Sequence, residues 1–81
     1  MKTVDGIKLE NILRAATTID GVKVREGHSH RYLLEYNGYH PCPVAASTNV
    51  RTMVVPWLKR VTNYNSNELY ASLKRGYAIG A

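Results

Sequence analysis

The chain has a single cysteine, Cys42, so no disulfide can form within it, and a small extracellular scaffold stapled by such bonds is excluded. The cytoplasm is the expected compartment. Nowhere does an apolar run approach the ~20 residues of a membrane span, and Met1 to Gly6 lacks the apolar core of a signal peptide. No basic amphipathic helix of the membrane-surface type occurs either, so no membrane partner is expected. Only six residues are acidic, which argues against a two-metal nuclease built on carboxylates. Also missing are a glycine-rich phosphate loop, a nucleophile elbow and a zinc-protease histidine pair. Internal repeats and low-complexity tracts are absent too.

What remains is an ordinary globular composition on 81 residues, too few for two independently stable cores, so a single domain spanning 1–81 is expected. Eleven Lys and Arg against six Asp and Glu leave a formal charge of +5. That surplus attracts phosphates, which makes nucleic acid the first candidate partner.

Hydrophobic periodicity divides the chain. Ile7, Ile12, Ala15, Ala16 and Ile19 fall near one side of a helix, widened by Leu9 and Leu13, with Asp5 placed to cap its start. Asp20-Gly21 signals a turn. The run Val22 to Tyr36 alternates and is rich in Val, Leu and Tyr, which predicts a strand, a break near Gly27 and a second strand. Asn37-Gly38 is a hairpin signal, because both residues tolerate the positive φ of a type I′ turn. The returning strand, Tyr39 to Ala46, contains Pro41 and Pro43, which lack ladder donors and belong at a sheet edge.

Ser47, Thr48 or Asn49 can cap a second helix carrying Val50, Met53, Val54, Trp57, Leu58 and Val61 at helical spacing. Pro56 interrupts that pattern. One kinked helix is the favoured reading; the alternative is a strand at Val50 to Val55 with a helix opening at Pro56. A polar stretch, Asn63 to Asn67, then precedes a short helix with Leu69, Tyr70 and Leu73 that ends near Gly76, and residues 77–81 read as a loose tail. The expected fold is α+β: a small antiparallel three-stranded sheet packed against helices, in the order α-β-β-β-α-α.

The segment Gly27-His28-Ser29-His30-Arg31-Tyr32 carries the most chemistry. Two imidazoles that titrate near neutral pH can take and give a proton while a ribose 2′-hydroxyl attacks the adjacent phosphate, a reaction that needs no metal. In an extended strand His28 and His30 share a face and Ser29 takes the other. The plainer account of a His-x-His pair is two solvated strand histidines. His28, His30, His40 and Cys42 could in principle gather around zinc, but their spacing matches no common zinc framework, so neither a metal nor any other cofactor is expected. A buried, inert Cys42 is the simpler reading, and Trp57 reads as core or interface. Arg25, Arg31, Arg51, Lys59, Arg60, Lys74 and Arg75 are candidate phosphate contacts. Tyr32, Tyr36 and Tyr39 can stack on bases if they face solvent, or equally pack the sheet against the helices.

The order of elements together with this histidine segment resembles the HicA toxin family, small bacterial mRNA interferases with a fold like double-stranded-RNA-binding domains. Gly27, His30 and Tyr32 match the family's Gly-Ser-His-His-x-aromatic pattern, and Pro41-Cys42-Pro43-Val44 is similar to its third-strand element. The first histidine of the family's pair corresponds to Ser29 here, and His28 stands where the family has serine. The resemblance implies a metal-independent ribonuclease with His28 and His30 as acid-base residues. It also implies Arg25, Ser29, Arg31 and Tyr32 as RNA contacts, and a cognate antitoxin that covers the histidine surface. A non-catalytic module that docks nucleic acid or a protein partner is the alternative.

Overall fold

Three antiparallel strands, neighbouring in sequence order, form a meander sheet, and the described helices share one core with its inner side. Residues 1–27 and 32–77 are described by the structure, a computed structural model. Its elements are α1 (Leu9–Ala16), β1 (Lys23–Glu26), β2 (Tyr32–Glu35), β3 (Cys42–Val44), a π-helical turn (Val50–Val54), α2 (Val55–Thr62) and α3 (Ser66–Arg75). The predicted α+β architecture and its element order are present. Among the described residues no helix is long and apolar enough to cross a membrane.

The amphipathic face of α1 buries Leu9, Ile12, Ala15 and Ala16. It packs against α3, whose Leu69 and Leu73 are fully buried, and Asn11 Nδ2 ties the pair by donating to the Lys74 carbonyl at 3.1 Å. Leu34 and Val44 close the core from the sheet, and Val50, Val54 and Leu58 close it from the second helical run.

That run settles the two readings of Val50 to Val55 in favour of one helical stretch. The Val55 N–H bonds back to the Val50 carbonyl, five residues away, which widens the turn before Pro56. A proline inside a regular helix collides with the carbonyl four residues earlier. The extra residue relieves that contact and leaves Pro56 in the first turn of α2, where no N–H is needed. The wider turn also shifts the helical phase, so Met53, expected on the apolar face, is instead 43% exposed.

Asp5 does not cap α1, contrary to its predicted role. The helix begins at Leu9 behind Lys8, with no side-chain cap. Residues 1–8 form a small hairpin in which Lys2 bridges Lys8 antiparallel, Thr3 N–H bonds to the Ile7 carbonyl and Leu9 N–H bonds to that of Met1. This turn aims the Asp5 carboxylate at the start of the π-helical run, where it accepts from Val50 N–H at 3.1 Å and Arg51 N–H at 3.2 Å. Asn49 accepts from Thr52 N–H at 3.0 Å. The first donors of that run, orphaned in any helix, are thereby satisfied. Asn65 caps α3 by accepting from Asn67 and Glu68 N–H.

The Asn37-Gly38 turn exists but is not type I′. Tyr39 N–H closes it onto the Tyr36 carbonyl, and only Gly38 has positive φ, +87°, the pattern of type II. β3 pairs with β2 beyond it as a three-residue edge strand, with Pro43 opposite Leu33. At the α1–β1 turn Gly21 has φ +89°, and a Cβ there would lie 2.9 Å from the Tyr36 ring. A Gly21→Ala variant is expected to lose about 1–3 kcal/mol through backbone strain and crowding. An unchanged urea midpoint would show that the turn relaxes freely.

Candidate nucleic-acid interface

Strand pairing assigns each sheet residue to a side. Val24, Leu34 and Cys42 lie in one row of cross-strand partners and face the helices, as do Tyr32 and Val44. Lys23, Arg25, Leu33, Glu35 and Pro43 take the other side, and among the described residues this side carries none of the buried core. Arg25 Nε lies 3.3 Å from Glu35 Oε2 across the diagonal of this face, with both side chains open to water. An exposed pair of this kind contributes little to stability, so Arg25 remains available to a stronger anion.

Glu26 pairs with Tyr32, and the described ladder between β1 and β2 closes at that pair. His28, Ser29, His30 and Arg31 lie outside the described residues. The other two sequence-derived RNA contacts bracket them. Arg25 is exposed on the outer face of β1, whereas Tyr32 points inward, half-buried against the core. Tyr36 likewise packs against the core, edge-on to Tyr39 with ring centroids 5.5 Å apart. Tyr39 is the exposed member, and its hydroxyl donates to the Arg60 carbonyl at 3.2 Å. Tyr36 and Tyr39 line an open cavity of about 470 Å³ with Lys23, Glu35 and Pro41. They stand at the end of β2 opposite Tyr32, roughly 13 Å along the strand.

Cys42 is buried on the inner face, its thiol near the Met53 carbonyl at 3.9 Å. Burial pushes that thiol up to about 11, against a smaller opposing effect of the Arg60 charge, so it stays protonated at neutral pH. His40 is exposed, and its carbonyl accepts from Trp57 Nε1 at 2.6 Å. Among the described residues no group of three His, Cys, Asp or Glu side chains is arranged to hold a metal ion. A thiol reagent should modify Cys42 orders of magnitude more slowly in the folded protein than in urea. Equal rates would contradict its burial.

Ten of the eleven Lys and Arg residues are described, and all ten are exposed. Among the described residues Arg25 alone takes part in an ion pair. Among the described residues the other nine cations are therefore not held in ion pairs by the protein's own carboxylates. Sequence reasoning singled out Arg51 and Lys74 but missed Lys2 and Lys8, which join them around Asp5 and Tyr70. The Asp5-Gly6 turn dipeptide was the available signal, since a chain folding back there sets Lys2 opposite Lys8. No protein-family model, curated protein or solved structure matches the chain.

Proposed function

We propose that this protein binds RNA and cleaves it without a metal, as a ribonuclease toxin of a toxin–antitoxin pair acting in the cytoplasm. The observation that carries the RNA-binding part is the exposed cationic surface, on which, among the described residues, Arg25 with Glu35 makes the one ion pair. A polyanion whose condensed counterions are released on binding is the partner such a surface favours. The cleavage part rests on His28 and His30. One imidazole removes the proton of a ribose 2′-hydroxyl, whose oxygen attacks the neighbouring phosphorus. The other gives a proton to the departing 5′-oxygen, leaving a 2′,3′-cyclic phosphate and a 5′-hydroxyl end. Arg31 and Arg25 supply positive charge to the phosphate as it gains negative charge, and Ser29 completes the RNA contacts, while Tyr32, packed inward against the core, anchors the strand that follows the histidines. A cognate antitoxin covering this surface would silence it.

Ser29 favours a second reading. It stands at the position of the first histidine in the HicA pattern, and a chain that binds RNA or a protein partner without cutting would tolerate the exchange.

Incubation of the purified protein with total RNA in the presence of a chelator separates the two. Loss of RNA with the unmodified protein and none with the His28→Ala, His30→Ala double variant supports the ribonuclease. Intact RNA with both proteins leaves the binding module.

A further inference from the structure

We infer that the cleft between the amino-terminal hairpin and the end of α3, lined by Lys2, Lys8 and Lys74, is a phosphate-binding site that holds the backbone of bound RNA. This rests on the RNA-binding reading above. Lys2 and Lys8 are directly opposed across their antiparallel bridge, an arrangement in which like charges repel. Both line one open cavity of about 180 Å³ with Lys74, Asn11 and Gly6, several times the ~30 Å³ share of one water. Among the described residues none of the three lysines has a carboxylate partner.

Asp5 borders the same cavity but is already engaged. Its carboxylate accepts from the Thr3 hydroxyl at 2.6 Å, from Val50 and Arg51 N–H, and from the Tyr70 hydroxyl at 3.4 Å. Tyr70 in turn positions two cations over its ring, Arg51 at 5.4 Å and Lys74 at 5.3 Å from the centroid. Lys2, Lys8 and Lys74 thus border a cavity whose carboxylate, Asp5, is already committed to other donors. Lysine ammonium groups act as point charges toward phosphate, and three of them around one cleft satisfy a phosphodiester without the fixed fork geometry of arginine.

The cleft also has a meaningful position. Val44 pairs with Tyr32, the Thr48 hydroxyl donates to the Pro43 carbonyl, and Val4 N–H donates to the Thr48 carbonyl. These links stitch the hairpin to the end of the sheet where the strands flanking residues 28–31 close. RNA held in the cleft passes the same end of the molecule.

The test titrates a labelled single-stranded RNA with 2′-O-methyl riboses, which cannot be cleaved, at a series of potassium chloride concentrations. The full chain is compared with a Lys2→Gln, Lys8→Gln, Lys74→Gln variant and with a control lowered equally in net charge away from every candidate contact, Arg14→Glu, Lys23→Gln. The cleft variant is expected to bind at least about ten-fold more weakly, with a salt slope lower by about 2, from three contacts at ~0.7 each. The control should change far less. Loss of the Lys2–Lys8 repulsion offsets loss of the Lys74–Tyr70 contact, and a thermal melt showing the cleft variant folded at the titration temperature excludes misfolding as the cause. Equal losses in both variants would overturn the cleft and leave the RNA-binding reading standing. No binding by the unmodified protein would instead overturn that reading, and the cleft with it. Binding of polyglutamate in place of RNA, lost in the cleft variant, would assign the site to an acidic protein and overturn the phosphate assignment.

Discussion

Replacing His28 or His30 singly by alanine is expected to slow RNA cleavage by about 10²–10⁴-fold, the usual contribution of a positioned general acid or base. Two imidazoles dividing the roles require one neutral and one protonated ring at the same moment. The rate should therefore follow a bell-shaped pH profile, falling on the acid side as the base is protonated and on the alkaline side as the acid loses its proton. Each single variant should lose one limb of that bell. A rate that rises steadily with pH, or retention of activity in both single variants, would remove the histidines from the mechanism. A paired exchange, His28→Ser with Ser29→His, restores the Gly-Ser-His-His order of the HicA pattern. If the swapped order has shifted the imidazole from its best position, the exchange raises the cleavage rate. If neither the natural chain nor the exchanged one cuts RNA, the surface serves docking alone.

Local signals were legible where local chemistry decides the backbone. Gly38 marks its turn because only glycine takes φ +87° there without strain, and Asn65 marks the start of α3 because its side chain reaches two N–H groups within three residues. Pro43 correctly indicated an edge strand. Pro56 left two readings open, because a proline can begin a helix or interrupt one. The outcome depended on a five-residue hydrogen bond that no propensity encodes. Asp5 was misread for a related reason. Its spacing suited a local cap, yet its partners lie 45 and 46 residues away and are set by tertiary packing. The inward face of Tyr32 follows from alternation once Leu34 is known to be buried, whereas the Lys2–Lys8–Lys74 cleft needs both chain ends brought together.

Removal of the Asp5 carboxylate by Asp5→Ala is expected to destabilise the fold by about 2 kcal/mol at neutral pH, the upper range for a capping acceptor. Such a loss is a large share of the ~5–15 kcal/mol that holds a domain of this kind together. The effect should concentrate at Val50 N–H and the Thr3 hydroxyl, because both residues are buried and would lose their acceptor, whereas Arg51 N–H can turn to water. Burial by itself would raise the pKa of Asp5, but the Thr3 hydroxyl and the Val50 and Arg51 N–H groups outweigh it and hold the carboxyl below its usual value. A folded value below the unfolded one makes the stabilisation fully present above the unfolded carboxylate range, near ~3.9, and lost as pH falls through the lower folded value. Urea unfolding of the natural protein and of Asp5→Asn should accordingly differ at neutral pH and converge in acid. A gap that persists in acid would show that the asparagine acts through packing and not through charge. The same variants bear on RNA binding, since Asp5 pins the hairpin that carries Lys2 and Lys8 beside Lys74. If Asp5→Ala loosens the hairpin, RNA affinity falls even though a negative charge has been removed, the opposite of what net charge alone predicts.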